Sequence, residues 1–526
     1  MKKILVISVM FLSLLFMVSC GSDDDETCVQ NEDCASDFFC DQNLGKCLPE
    51  NSGENNGNED ENAENGTSDG ENPDGSAADG TIPDDDADHN SGGIYVTCTP
   101  GEHKECYEGP SGTVNVGLCK AGYKECVEDG SDWSECRDQI LPVAEICSDG
   151  IDQDCDGSDL TPETAVDIDG DGYTYCSGDC CETGWDCLGE PEKVNPSSFE
   201  VPDNAVDDNC NGQIDEVVSA CDANIMQDTS DPIDMAQSID LCPVAGEQTF
   251  GVVSAKLLFP DGTEGEIPAQ QHAVLPGYGN VLKPKAGNSF LVFSTGKVNP
   301  TNEELSIDNG TSSDAPADWF QANGGESFPD SPACKGGIII SQDSNPGQPP
   351  VNDPVMFELV IRAPKNASAF GVNVYYISSE FPEFVCKYND FFVMLLDSSY
   401  SSTDPNLQNP FDKNIAMDSL GNPLGINLAQ SGLFTVCCPR NKFPSCQGDE
   451  ELKGTPFTTA ACSALTITEA HGATGWLEVR GNIVPGEDFK LRMAIWDTND
   501  HIYDSMVLID NFQWYEVAGK PGIAPK

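Results

Sequence analysis

The sequence predicts a mostly β protein: a loop-rich, disulfide-dense module followed by an antiparallel β-sandwich or jelly-roll-like domain, with a disordered acidic linker ahead of both. Three observations carry this. First, apolar residues alternate at period two (Val355, Phe357, Leu359, Ile361; Phe370, Val372, Val374, Tyr376; Leu491, Met493, Ile495; Met506, Leu508), with Gly, Pro, Asn and Asp between the runs. That alternation, with no long 3.6-residue periodicity, is the pattern of antiparallel strands packed on a core. Second, the 25 cysteines fall in groups. Third, residues 51–92 hold no cysteine, aromatic, Lys or Arg, yet thirteen acidic residues.

Charge sets the first exclusion. With 25 Lys+Arg against 90 Asp+Glu, the formal net charge is −65. A polyanion of this size is repelled by phosphate backbones, so no nucleic-acid partner is expected. The five histidines (His89, His103, His272, His471, His501) form no HExxH pair, which argues against the commonest zinc hydrolase motif.

The N-terminus opens with Met1-Lys2-Lys3 and an apolar run over 4–18. A basic start followed by about fifteen apolar residues reads as a secretory signal, short for a membrane span. Met17-Val18-Ser19-Cys20, followed by Gly21-Ser22, resembles the bacterial lipobox, with Met17 where Leu is usual. The resemblance implies a signal peptide over 1–19, acylation of Cys20, and attachment to the outer membrane through lipid.

With Cys20 assigned to lipid, 24 cysteines remain. In an exported chain an even set implies disulfides. Four lie in a short segment (Cys28, Cys34, Cys40, Cys47), twelve from Cys98 to Cys210, and eight from Cys221 to Cys462. Each group is even if a boundary falls near 218, so each can close its own bridges; the connectivity stays open. Residues 20–49 are too few for a hydrophobic core and resemble the small cysteine-rich knots of secreted myxobacterial-type lipoproteins. Residues 50–92 cannot bury enough apolar surface to offset their ordering entropy, so a disordered tether is expected. Residues 93–146 form a further cysteine-rich region.

The metal signal lies in 147–217. Asp167-Ile168-Asp169-Gly170-Asp171-Gly172-Tyr173 reads D-x-D-x-D-G. Carboxylates at alternate positions can converge on one hard cation while glycine permits the turn. The twelfth position is Gly178, not the bidentate Glu of an EF-hand, and cysteines and glycines replace the flanking helices. Helix-free calcium loops, such as thrombospondin type 3 repeats, are the closer pattern. The candidate ligands are Asp167, Asp169, Asp171, Tyr173 and Asp179, with Asp186 a further candidate from the following turn.

Two neighbouring segments echo each other: one carries Asp152, Asp154 and Asp156, the other Asp207, Asn209, Asn211 and Asp215. AEICSDGIDQDCDG, DIDGDGYTYCSGDC and NAVDDNCNGQIDE together resemble the MopE-type metal-binding repeat of exported bacterial proteins, over about 98–216. Asn209 and Asn211 replace the usual Asp, and the ending at Asp159 is one residue short. That family takes its name from a copper-binding protein. Carboxylate and amide oxygens suit Ca²⁺ instead, since copper prefers His, Met or thiolate. A structural Ca²⁺ that rigidifies a coreless module is therefore expected.

In 218–517, SSEFPEF (378–384), Tyr388-Asn389-Asp390 and Ala494-Ile495-Trp496-Asp497-Thr498-Asn499-Asp500 resemble the signature of the choice-of-anchor L domain. Phe381 stands where that family has Tyr. The resemblance implies surface display and no particular activity. Glu380, Asn389, Asp390, Asp497, Asp500, Asp504 and Asp510 are polar residues in apolar strand context. Either they converge on a second calcium ion or they cap turns and bond backbone amides. Trp476, Trp496 and Trp514 are expected in the core, and 518–526 as a C-terminal tail.

The expected function is a non-enzymatic, lipid-anchored surface protein displaying a calcium-stabilised β domain for adhesion or recognition of an unknown surface or matrix ligand. A carbohydrate- or matrix-binding component is the alternative. A hydrolase using a carboxylate pair such as Glu380 and Glu383 is the third.

Overall fold

The structure, a computed structural model, describes residues 98–143, 145–184, 187–217, 220–300, 305–329, 331–334, 350–387, 390–438, 444–458, 471–498 and 501–526, and the backbone of 38–41 and 46–49. The signal peptide, Cys20, most of the cysteine-rich knot and the acidic linker lie outside the described residues, as do Asp186, Asn389 and Asp500. Two compact units are present, 1–92 and 93–526. In the first, β1 (Phe38–Asp41) and β2 (Lys46–Pro49) pair antiparallel, with Cys40 opposite Cys47.

The second unit begins with a small hairpin of β3 (His103–Cys106) and β4 (Gly122–Glu125), followed by a loop-rich stretch to about 217. Disulfides replace a large core here. Cys98–Cys126, Cys106–Cys136, Cys119–Cys155, Cys147–Cys176, Cys180–Cys210 and Cys181–Cys187 close the group of twelve on itself. Cys119–Cys155 ties the hairpin segment to the first acidic loop. Further along, Cys221–Cys242, Cys334–Cys386 and Cys437–Cys446 join members of the last group to one another.

The rest is built on two antiparallel sheets. The five-stranded sheet runs β11 (Phe391–Asp397), β14 (Asp488–Thr498), β9 (Pro350–Arg362), β5 (Gly251–Leu258), with β8 (Ser312–Asp314) also on β9. The seven-stranded sheet runs β12 (Val436–Cys437), β13 (Gly472–Asn482), β10 (Ala369–Ser378), β15 (Ser505–Tyr515), β7 (Phe290–Ser294), β6 (His272–Leu275). β16 (Gly522–Pro525) lies along β13 at Leu477–Arg480, so the segment read as a tail completes the sheet.

The alternation decides which side chains meet between the sheets. Val355, Phe357, Leu359 and Ile361 of β9 face Phe370, Val372, Val374 and Tyr376 of β10, and Leu491, Met493 and Ile495 join them. The outer faces are buried as well. Tyr375, Ile377, Met506 and Leu508 pack outside the seven-stranded sheet against Tyr278, Leu282 and Phe457. Outside the five-stranded sheet, the helix α1 (Ala317–Ala322) sets Trp319 and Phe320 on Phe391, Val393 and Trp496. The ten residues of β10 are consequently all buried. Among the described residues no helix is long and apolar enough to cross a membrane.

Candidate metal centres

Three loops in 145–216 share one hydrogen-bonding scheme, set by D-x-(D/N)-x-(D/N)-G. In each, the first carboxylate accepts from the glycine amide: Gly157 to Asp152 at 3.0 Å, Gly172 to Asp167 at 3.0 Å, Gly212 to Asp207 at 2.8 Å. The third-position side chain accepts from the fifth-position amide: Asp156 to Asp154 at 3.0 Å, Asp171 to Asp169 at 3.0 Å, Asn211 to Asn209 at 3.1 Å. The fifth-position side chain accepts from the seventh amide: Ser158 to Asp156 at 2.9 Å, Tyr173 to Asp171 at 2.7 Å, Gln213 to Asn211 at 2.9 Å. The glycines have φ of +109°, +96° and +86°, the left-handed region that glycine enters without strain. Both oxygens of the first Asp thus hold the turn, as does one oxygen of each third- and fifth-position side chain.

In the central loop the carboxylates gather, although both Asp167 oxygens also accept from the Gly170 and Gly172 amides. Asp169, Asp171 and Asp179 each bring an oxygen within 4.8 Å of the others, and so do Asp167, Asp169 and Glu182. Asp169 Oδ2, Asp171 Oδ2, Asp179 Oδ2 and Glu182 Oε1 are buried with no hydrogen-bond partner. Burial, with the charges of Asp171 and Glu182 added, pushes the Asp179 carboxyl up to about 7. Burial likewise raises Asp169, Asp171 and Glu182. Orphaned buried carboxylate oxygens aimed at one another are unfavourable unless a proton or cation lies among them. The all-oxygen donor set fits a hard cation. Tyr173 is buried, and its hydroxyl donates to the Gln248 carbonyl just ahead of β5.

The first loop groups Asp152 and Asp154 with Glu145. Burial and the neighbouring carboxylates raise Asp154 to about 6. Asp156 lies outside this trio; its Oδ1 accepts from the Ser158 amide and hydroxyl. In the third loop Asp215 turns away, accepting from the Asn204 amide at 2.9 Å. Asn209 donates to Glu216 at 3.0 Å, and Asn211 also donates to it. Glu200 Oε2 and Glu216 Oε2 are buried without partners, and burial raises Glu200 to about 7.

Sequence reasoning missed the glutamates. Glu145 accepts from the Asp154 amide at 2.9 Å and from Leu160 at 3.0 Å. Glu200 accepts from Asp215 at 2.8 Å. Glu145 and Glu200 each stand seven residues before the first Asp of their loops. That shared offset is the signal that finds them. Glu182, which accepts from the Ile168 amide at 2.7 Å, has no such echo.

In the β domain, Asp390, Asp497, Asp504 and Glu380 are buried at one end of the sandwich. Asp510 is apart from them: burial lifts it to about 7, and it accepts from the Lys285 amide. A further trio went unread in the sequence. His501 Nδ1 lies 2.7 Å from Asp353 Oδ2 and 3.3 Å from Asp308 Oδ1. At the opposite side of the domain, a cleft of about 990 Å³ opens between the third loop and the sandwich. Phe199, Phe250, Trp514 and Tyr515 line it beside Glu200 and Asn511.

Fold and site together define a disulfide-braced β-sandwich with acidic metal-type loops docked on it. Residues 356–513 match the Choice-of-anchor L domain family, and residues 142–159 and 186–216 match the MopE-type family described as "Putative metal-binding motif". The first match begins inside β9, although β5 and β8 pair with that strand and β7 pairs with β15. The central D-x-D-x-D-G loop falls between the two stretches of the second match. No curated protein and no solved structure matches the chain. The two families fit a cell-surface protein that carries metal-binding motifs.

Proposed function

We propose that the chain is a non-enzymatic, lipid-anchored surface protein that displays a calcium-stabilised β domain for adhesion or recognition. The observation that carries the calcium part is the set of orphaned buried oxygens on Asp169, Asp171, Asp179 and Glu182. Calcium takes six to eight oxygen ligands with variable geometry, which suits carboxylates supplied by a loop and a distant turn. Docking of the loops on the sandwich supports a display role. Asn366, in the β9–β10 turn, accepts from the Phe199 amide at 2.9 Å and donates to its carbonyl at 2.8 Å. Lys365 donates to the Ser197 carbonyl at 2.9 Å. An ion in the loops therefore orders a surface that is continuous with the β domain.

The test is calcium titration calorimetry on the full chain and on the Asp167→Ala/Asp169→Ala/Asp171→Ala triple variant. Loss of one class of sites in the variant is expected; unchanged binding defeats the reading. Replacing Cys20 by Ala, followed by detergent partitioning and fatty-acid labelling, tests the lipid anchor separately. A second reading, a carbohydrate- or matrix-binding component, is favoured by the aromatic cleft around Phe250, Trp514 and Tyr515. Half-buried rings beside carboxylate and amide groups are chemistry suited to a sugar face.

A further inference from the structure

The sandwich end where the β7–β8, β10–β11 and β14–β15 connections meet holds carboxylates that owe nothing to the repeat loops. Asp497, next to the end of β14, is fully buried, and neither of its carboxylate oxygens has a hydrogen-bond partner. The groups acting most strongly on it, after burial itself, are the carboxylates of Asp390 and Asp504, the Thr295 hydroxyl, and Glu380; none is cationic. Thr295 Oγ1 accepts from the Ser505 amide at 3.0 Å and its hydroxyl donates to the Ser505 carbonyl at 3.4 Å. The Thr295 hydroxyl also comes close enough to Asp497 to lower its carboxyl by hydrogen bonding, an effect smaller than that of burial or of the Asp390 and Asp504 charges.

The polar side chains acting on Asp497 are carboxylates and a hydroxyl. Asp390 Oδ1 accepts from the Thr498 amide at 3.1 Å, and its Oδ2 accepts from the Ser505 hydroxyl at 2.9 Å. The Ser505 hydroxyl lies 3.0 Å from Ser378 Oγ and 3.0 Å from the Tyr376 hydroxyl. Asp504 accepts from the Ile307 amide at 3.0 Å, fastening the β7–β8 connection. A Cβ on Gly296 would fall 1.8 Å from Asp504 Oδ2, so only glycine lets that backbone close over the carboxylate. An ionised carboxylate with neither oxygen bonded is among the costliest groups to bury, and a cation removes that cost.

We propose that Asp497, with Asp390 and the Thr295 hydroxyl, forms a buried calcium site that clamps these three connections, independent of the acidic repeats. Among the described residues, no three of the carboxylates here bring oxygens within 4.8 Å of one another, unlike those of the first and central loops. Hydroxyl and carbonyl oxygens therefore share the shell, as calcium's variable coordination permits and magnesium's strict octahedron does not. The Asp497 side chain supplies the oxygens that nothing else in the fold uses.

The experiment counts bound calcium by equilibrium dialysis on four full-length proteins. These are the wild type, Asp497→Asn, a repeat variant (Asp152→Asn/Asp167→Asn/Asp207→Asn), and the two combined. The expected result is one ion fewer on adding Asp497→Asn in either background. Terbium emission excited through tryptophan should be lost from the combined variant but not from the repeat variant, because Trp496 adjoins the site. An unchanged ion count overturns the proposal and leaves the carboxylates as a protonated hydrogen-bonding network. If the repeat variant binds as many ions as wild type while Asp497→Asn still loses one, the repeat reading fails and this one stands. Asp497→Asn keeps the side-chain shape. Should it not fold, Thr295→Val decides: calcium affinity at least tenfold weaker at this site supports the proposal, and wild-type affinity overturns it.

Discussion

Asp179 shows how one residue's environment sets the behaviour of a module. One oxygen accepts from the Cys181 amide at 2.9 Å, and the other is buried with no hydrogen-bond partner, in a cluster with Asp169 and Asp171. Burial lifts Asp179 and Glu200 to about 7 and Asp154 to about 6, against about 4 for exposed carboxylates. A carboxylate whose folded pKa is raised holds its proton more tightly folded than unfolded. Its contribution to stability is full below the unfolded pKa and is lost as pH rises through the folded one. In EDTA, the melting temperature of the full chain should therefore fall between pH 5 and pH 7.5. Saturating calcium should abolish or reverse that fall, since the ion takes the place of the protons. Scanning calorimetry at both pH values checks this; a flat profile in EDTA contradicts it. The alternation of Asp167, Asp169 and Asp171 was legible because adjacent ligands leave a local pattern. Glu182 was not, because a glutamate brought in by chain folding leaves none.

At the scale of elements, the inward face of each long strand was legible from period two. The outward face was not. β10 reads Ala-Phe-Gly-Val-Asn-Val-Tyr-Tyr-Ile-Ser, and its second face is covered by Tyr278, Leu282 and Phe457 from distant loops. Nothing within a strand announces such a cover. The same holds for α1, six residues long, whose Trp319 packs on Phe391 at 5.7 Å and on Trp496 at 5.6 Å between ring centroids. Trp496 is core, as the sequence predicts, while Trp514 is only half-buried and lines the cleft. Trp319→Ala should cost about 3–5 kcal/mol of stability, the range for emptying a buried aromatic site. Urea unfolding reads this directly. A loss below about 1 kcal/mol would mean that α1 covers the sheet without being part of its cooperative unit.

Across the whole of residues 93–526, the module without a large core and the module with one share contacts through Tyr173, Phe199 and Asn366. That joint was invisible in the sequence, where cysteine counts separated the two parts cleanly near residue 218. Asn366→Ala removes the partner of two half-buried Phe199 backbone groups at once and should cost about 1–3 kcal/mol. It should also reduce the calcium-induced protection of the Phe199 and Lys365 amides in hydrogen exchange while leaving calcium affinity within threefold. Equal protection in variant and wild type would show that the joint is held elsewhere.

On the proposed function, bound metal and the disulfides together order the acidic-loop module. The most direct measurement is thermal melting of the intact chain in EDTA and in saturating calcium, paired with calorimetric titration. Saturable binding is expected, with a calcium-dependent rise in melting temperature that grows with free calcium, as ligand linkage requires. Identical melting curves in EDTA and calcium, with no titratable heat, would contradict it and leave the acidic loops as protonated, solvated turns.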